Sequence, residues 1–182
     1  MLANLRALFG VVIDIVLLRR GPEHLPASQA LLVVMAVVST VANALLVVAL
    51  GVGIGPALLM CAVASVVMVA WFRFLLSMAN KRERFLQTLT ALFSISALFL
   101  PLLIPVLPPL APYFENPQPA EPPPALPMLI GAAIGFWALL LEIRIVRAAF
   151  ECPWVVAIML VLSEIFVSNI VGMILFGGGK PA

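Results

Sequence analysis

The chain has 182 residues, of which 64% are hydrophobic and only 10% are charged, and its formal net charge is +2. Soluble domains average about 25% charged residues, so a chain this apolar could not cover a water-facing surface with polar groups. The small net charge, without a stripe of basic and aromatic residues, argues against nucleic acid as a partner. We therefore predict an all-α fold, a polytopic transmembrane helix bundle whose main partner is the lipid bilayer.

The first predicted element is an interfacial amphipathic helix over residues 1–20. Its apolar run, "LFGVVIDIVLL", is shorter than the roughly 20 residues that a membrane span needs. Arg19 and Arg20 follow the run, and charges on that flank are not typical of a cleaved signal peptide. We expect this helix to lie on the membrane with its arginines at the lipid headgroups.

Five apolar stretches follow and are interpreted as membrane-spanning helices. The fourth is slightly short, which leaves four spans as the main alternative to five. We expect an amphipathic turn at the interface after it, "EIRIVRAAFEC" (142–152). The predicted membrane domain covers residues 28–176, with spans at about 28–50, 56–79, 88–107, 127–145 and 153–176.

Prolines dominate the segment between the third and fourth predicted spans. Residues 101–127 contain eleven of the sixteen prolines in the chain and no lysine or arginine. Such a density of proline prevents regular helix and sheet and favours an extended, polyproline-like loop. We predict a proline-rich, non-cytoplasmic loop over residues 108–126 and interpret it as a spacer.

The basic residues predict the orientation of the chain, because cytoplasmic loops of membrane proteins carry an excess of lysine and arginine. With five spans and a cytoplasmic N-terminus, only Lys180 falls on the other side. We therefore predict a bacterial inner-membrane protein with its N-terminus in the cytoplasm and its C-terminus in the periplasm. The basic residues on the cytoplasmic side are then Arg6, Arg19, Arg20, Arg73, Lys81, Arg82, Arg84, Arg144 and Arg147.

Glu164 is the most informative polar residue, because it lies near the middle of the fifth predicted span. An ionised carboxylate there costs at least about 2.5 kcal/mol, so we expect it to face the bundle and either to pair or to stay protonated. Ser168 lies one turn further along the same helix face, and Asn43 lies at similar depth in the first span. Arg73 is the candidate counter-charge, with Glu142 competing for it. This intramembrane polar cluster is either a helix-packing site or a site for a proton, an ion or a polar substrate.

Gly131 and Gly135, in "GAAIG", have the small-xxx-small spacing that lets helix backbones approach closely. We expect them to pack against another helix of the same chain, with a dimer interface as the alternative. No nucleophile stands beside a histidine, and no glycine-rich phosphate loop is present. Two cysteines and one histidine are too few for a metal site. We therefore expect no catalytic residue, no metal and no cofactor.

Two stretches of the chain resemble a group of small, uncharacterised proteobacterial inner-membrane proteins. "LLRRGPEHLPASQALL" (17–32) is similar to the start of their first span. "FWALLLEIRIVRAAFECPWVVAIMLVLSEIFV" (136–167) resembles their C-terminal pair of spans, with Trp137, Arg147 and Pro153 at the matching positions. In topology alone the chain also resembles the Yip1 family, whose Asp-Leu-Tyr-Gly-Pro motif it lacks. That likeness implies membrane shaping or sorting with small GTPases.

The function expected from the sequence is that of a non-catalytic inner-membrane accessory, scaffold or assembly partner. Its partner would be another membrane protein or a second copy of the chain. The alternative is a small transporter or channel component that uses the mid-membrane carboxylate of Glu164.

Overall fold

Five long apolar helices form the bundle in the computed structural model, which describes residues 10–110, 112–113 and 122–177. Each helix is long and apolar enough to cross a membrane, and no strand occurs in those residues. The predicted all-α bundle of five spans is therefore confirmed. In chain order the helices are α1 (Gln29–Ala49), α2 (Ile54–Met78), α3 (Phe85–Leu103), α4 (Ala125–Phe150) and α5 (Trp154–Phe176).

The helix ends follow local backbone chemistry. The hydroxyl of Ser28 accepts a hydrogen bond from the N–H of Leu31 at 3.3 Å and caps the start of α1. Gly51 has a φ of 95°, which glycine adopts without strain, and it turns the chain between α1 and α2. Pro153 immediately precedes α5, where its missing N–H leaves no helical hydrogen bond unmade. Short connections of this kind make successive helices run in opposite directions.

The fourth helix is longer than the sequence suggested. Residues 142–152 were expected to form a turn at the interface, but α4 continues to Phe150 and has 26 residues. A helix of that length measures about 39 Å, more than the roughly 30 Å of a hydrocarbon core. The turn is confined to the residues around Glu151, which has a left-handed φ of 51°. Residues 142–150 therefore belong to the spanning helix.

The core of the bundle lies around α3. About half of this span is buried, a larger share than in any of the other four. It packs against α1 and α4, while α5 packs against α4 and α2. The other helices leave large apolar side chains exposed on their outer sides, as expected where lipid is the solvent. The most buried core side chains include Phe72, Leu89, Leu92, Phe93, Ile95, Leu141, Ile145 and Val146.

The N-terminal segment is helical over residues 10–16, while residues 1–9 of the predicted interfacial helix lie outside the described part. Val12 and Ile15 are buried in the main core. The indole N–H of Trp137 donates to the carbonyl of Val16 at 3.3 Å. Because Trp137 lies about 20 Å along the helix axis from the end of α4, this contact is far from the basic residues at that end. The segment therefore packs against the side of α4.

The connection between α3 and α4 is described only in part, since residue 111 and residues 114–121 fall outside the described ranges. The predicted proline-rich loop over 108–126 includes them. Pro108–Leu110 forms a short 3-10 turn, and Val106 and Leu110 are buried. The hydroxyl of Tyr113 donates to the carbonyl of Pro122 at 3.3 Å. Proline thus permits a tight local turn here as well as extended chain.

We use "basic end" for the end of the bundle at which α2 and α4 finish and α3 and α5 begin. The ammonium of Lys81 donates there to the carbonyl of Phe150 at 2.9 Å and to the carboxylate of Glu151 at 2.6 Å. The guanidinium of Arg84 donates to the carbonyl of Ala148 at 2.9 Å and also pairs with Glu151. These cations satisfy carbonyls that a helix C-terminus leaves unpaired. They bind the α2–α3 connection to the α4–α5 turn.

Candidate functional site

The candidate site is a cavity of about 290 Å³ between the helices, and two of its lining residues, Ile165 and Asn169, are exposed. Side chains from all five helices line it, and most of its polar groups are hydroxyls, amides or carboxylates. The lining residues are Ser39, Asn43, Cys61, Ala64, Ser65, Met68, Phe93, Ser96, Glu142, Glu164, Ile165, Ser168 and Asn169.

Glu164 reaches this cavity from the middle of α5. It lies about 15 Å along the axis from Trp154, in a helix of 23 residues. Its carboxylate accepts a hydrogen bond from the hydroxyl of Ser168 at 2.8 Å, because residues four apart share a helix face. The structure thus brings these two predicted residues together inside the bundle.

Glu142 is the second carboxylate of the cavity, and the sequence interpretation did not assign it to the site. It lies on α4, about 12 Å before the end at Phe150, and so at nearly the same depth from the basic end as Glu164. The expected short fourth span placed Glu142 at the membrane surface. Because α4 continues past it for two turns, the side chain lies inside the bundle. The amphipathic pattern of residues 142–150 was the feature of the sequence that could have indicated that the helix continues past Glu142.

A set of hydrogen bonds fixes the polar wall on the α1 side. The amide of Asn43 donates to the carbonyl of Ser39 at 2.9 Å and to the hydroxyl of Ser96, on α3, at 3.2 Å. Thr40 and Ser65 share a hydrogen bond of 2.8 Å between α1 and α2. Hydrogen bonds between membrane helices contribute roughly 0.6–2 kcal/mol each. The predicted residue Asn43 therefore joins helices and also lines the cavity.

Arg73 does not belong to this cavity, which corrects the predicted pairing with Glu164. Its side chain is exposed, and its guanidinium lies 6.0 Å from the centre of the Phe85 ring. It lines a separate cavity near the basic end, together with Phe74 and Arg82. Arg73 lies little more than one turn from the end of α2, so its long side chain reaches the polar boundary.

The two glycines of "GAAIG" do not form a close helix contact within the described residues. A Cβ added to Gly131 would lie 3.3 Å from the side chain of Val106, in the α3–α4 connection. A Cβ added to Gly135 would meet nothing within 4 Å. The expectation of intramolecular helix packing is corrected accordingly. Close packing of small residues occurs instead between α1 and α2, where Ala44 and Ala57 are fully buried.

The cavity has an uncompensated acidic character. No basic side chain lines it, and neither glutamate forms an ion pair within the described ranges. A charged carboxylate in a membrane interior requires a compensating positive charge. Over those same ranges, no group of three or more His, Cys, Asp or Glu side chains is placed to hold a metal ion. The arrangement is suited to a proton or a weakly held monovalent cation between two carboxylates.

Comparison of the chain with protein-family models, with curated proteins and with solved structures found no match. The resemblance to small proteobacterial membrane proteins and to the Yip1 family therefore stays a prediction. Five helices long and apolar enough to cross a membrane mark the chain as a multi-pass membrane protein. Its function has to be argued from the cavity itself.

Proposed function

We propose that this protein takes up a proton or a monovalent cation in the bundle cavity, as a small transporter or channel component. The observation that carries the proposal is the pair Glu142 and Glu164, which face one cavity without a basic partner. A single mid-membrane acid is explained by helix packing alone. Two ionised carboxylates that line one cavity repel each other, and a bound proton or cation removes that cost.

The other lining groups support a cation as the ligand. The hydroxyls of Ser39 and Ser96 and the side-chain oxygen of Asn43 offer neutral oxygen atoms. Oxygen donors of this type suit hard cations, whereas the two carboxylates would repel an anion. The site therefore favours small cations over anionic substrates.

The test is ion flux through purified protein in liposomes. Vesicles are loaded with a dye that reports pH, or in parallel arms with one that reports sodium or potassium, and an ion gradient is imposed. We expect flux above that of empty vesicles in one arm. Glu142→Gln and Glu164→Gln should each lower it by at least about tenfold, because a neutral amide cannot balance the charge of the cation.

The matched control is Glu83→Gln, an exposed glutamate at the basic end that lies outside the cavity. This variant should conduct as the wild type does. Helical content and elution volume in detergent establish that each variant is folded. Absence of flux in folded wild-type protein, or flux that both cavity variants retain, would contradict the proposal.

The second candidate is a non-catalytic accessory, scaffold or assembly partner in the membrane. The open space beside Gly135 supports it, because a small residue that no described side chain contacts leaves room for another helix. That partner would be another membrane protein or a second copy of the chain. The flux experiment separates the candidates, since a scaffold gives no flux while the glutamine variants fold normally.

We also propose a bacterial inner membrane as the location, with the N-terminus in the cytoplasm. The support is the concentration of arginine and lysine at one end of the bundle, which is the pattern of cytoplasmic loops. The cation cavity then lies nearer the cytoplasmic side, since Glu142 is about 12 Å from the end of α4 at Phe150 and about 26 Å from its start at Ala125.

A further inference from the structure

A second cavity, of about 560 Å³, lies at the basic end between the N-terminal segment and the α4–α5 turn. Four arginines and two glutamates line it, together with His24. We refer to it as the arginine pocket. Its lining residues are Arg19, Arg20, Gly21, Glu23, His24, Arg144, Arg147, Ala148, Glu151 and Cys152.

The acidic residues of the arginine pocket are already engaged with other groups. Glu151 pairs with Lys81 and Arg84, outside the pocket. The carboxylate of Glu23 lies 3.5 Å from the imidazole of its neighbour His24. The acids of this pocket therefore leave most of its arginine charge uncompensated.

Three of the four arginines have no carboxylate partner among the described residues. Arg20 is paired with Asp14 at 3.2 Å, but Arg19, Arg144 and Arg147 form no ion pair there. The guanidinium of Arg147 lies 4.8 Å from the centre of the Trp154 ring, a cation–π contact that holds it in place and leaves its N–H groups free to donate. Guanidinium groups that converge in this way are suited to phosphate, whose oxygens accept paired hydrogen bonds.

We propose that the arginine pocket binds the phosphate group of an anionic phospholipid. The surroundings favour a lipid over a soluble phosphate. Trp154, which contacts Arg147, is 45% exposed, and Leu17, two residues before Arg19, is 49% exposed, so exposed apolar side chains lie close to the arginines. Tryptophan is typical of the level of the headgroups, and basic pockets between membrane helices bind lipid headgroups. Acyl chains would continue from the pocket along the exposed apolar sides of the helices.

The test is lipid binding to the full-length protein in mild detergent, measured by native mass spectrometry. Phosphatidylglycerol is the probe and phosphatidylcholine is the neutral reference lipid. We expect the protein to prefer phosphatidylglycerol. The double variant Arg144→Gln, Arg147→Gln should bind it about 25-fold more weakly, since each arginine near the membrane surface contributes about fivefold. Arg19→Gln, at an exposed position that tolerates substitution, should weaken binding about fivefold.

Arg82→Gln is the matched control. Arg82 is an exposed arginine at the same end, bonded to Ser77 and outside the arginine pocket, so this variant should bind as the wild type does. If Arg82→Gln and Arg19→Gln weaken phosphatidylglycerol binding equally, the lipid is attracted to the whole basic surface, and the proposal of a specific pocket is overturned. Unchanged binding in Arg19→Gln would overturn it as well, even if the double variant fails to fold.

A competition arm distinguishes the lipid from free phosphate. Inorganic phosphate at millimolar concentration should leave bound phosphatidylglycerol in place. Displacement of the lipid by phosphate would assign the pocket to a soluble anion and overturn the proposal. None of these measurements requires ion flux, so the arginine pocket stands or fails independently of the cation cavity.

Discussion

Glu142, Glu151 and Glu164 have the same side chain but lie in two different environments. Glu151 lies at the basic end, exposed to water and bonded to Lys81 and Arg84. Glu142 and Glu164 lie in the interior cavity, where no described basic side chain reaches them. Water and two cations stabilise the charge of Glu151, whereas no described basic side chain lines the cavity of the other two. Position along the chain, rather than residue type, therefore separates an ion-paired carboxylate from two that line a cavity.

Glu151 gives a prediction about stability and pH. Hydrogen bonds from Lys81 and then Arg84 lower the pKa of its carboxyl below the ordinary 4.5. A carboxyl with a lower pKa in the folded state stabilises the fold above its unfolded pKa, and this contribution disappears as the pH falls through the folded pKa. We predict that Glu151→Gln lowers the thermal unfolding midpoint at neutral pH, and that this deficit disappears as the pH falls through the lowered pKa of the folded state.

Thermal melts followed by circular dichroism in detergent, from acidic to neutral pH, measure this difference. The control is Glu83→Gln, which removes an exposed glutamate without an ion pair among the described residues. It should match the wild type throughout. A deficit of Glu151→Gln that stays constant with pH would mean that the side chain acts through its shape rather than through its charge.

Individual site residues could be predicted from the sequence to a limited degree. Glu164 stands out because a carboxylate in an apolar run must find compensation, and the helical repeat then adds Ser168. Arg73 was chosen by charge, but its guanidinium lies over the Phe85 ring, outside the cavity. Depth follows from counting residues along one helix. Which helices face each other depends on tertiary packing, which one sequence of apolar residues does not specify.

At the scale of elements, α3 shows how packing in lipid differs from packing in water. It is the least apolar of the five spans and the most buried. Thr88, Thr90 and Ser94 are all buried on it. Because lipid is as apolar as leucine, burying an apolar side chain between membrane helices gains little. Small and polar residues are therefore favoured there over the most hydrophobic ones. The hydroxyl residues of this span were therefore a usable signal for the central helix.

A cavity mutation tests the central role of α3. Leu89 is fully buried, whereas Val66 on α2 is 67% exposed on the outer side of the bundle. We predict that Leu89→Ala destabilises the fold by about 1–3 kcal/mol, because it leaves a cavity between the helices. The lost transfer of the side chain from solvent to the core adds little, since the solvent here is lipid. Val66→Ala, the control, should change stability by less than about 0.5 kcal/mol. Reversible unfolding in mixed micelles measures both, and equal effects would contradict a core centred on α3.

The number of spanning helices could be predicted more readily than their ends. Apolar length and turn residues such as Gly51 and Pro153 separate five stretches. The end of α4 was misplaced because Arg144 and Arg147 suggested a boundary several residues too early. Long basic side chains reach the headgroups from within a helix, so charge in the sequence does not mark its last turn. The hydrogen bonds from Lys81 and Arg84 to the end of α4 could not be predicted, because they join residues far apart in the sequence.

At the scale of the whole molecule, charge is distributed unevenly between the two ends of the bundle. The arginine pocket and the bonds of Lys81 and Arg84 all lie at the basic end. The described residues at the opposite end, 50–53 and 104–110, contain no charged side chain. This asymmetry supports the proposed orientation, because translocated loops are poor in lysine and arginine.

Cysteine labelling tests the orientation. In a variant with Cys61 and Cys152 replaced by serine, single cysteines are introduced as Arg82→Cys at the basic end and Pro122→Cys at the other. Both positions are exposed. We predict that a membrane-impermeant maleimide added to intact spheroplasts labels Pro122→Cys and leaves Arg82→Cys unlabelled until the membrane is permeabilised. The reverse pattern would invert the proposed orientation, and labelling of both positions would contradict five spans.

The bonds of Lys81 and Arg84 to the end of α4 also have a mechanical consequence. They fasten the α2–α3 connection to the α4–α5 turn, so four of the five helices share one anchored end. At the opposite end α1 and α2 are joined only by residues 50–53, which include Gly51 and Gly53. Helices that are held together at one end move apart mainly at the opposite end. The anchored end is thus the expected pivot of a hinge motion, and under the proposed function ions would enter from the side away from the arginines.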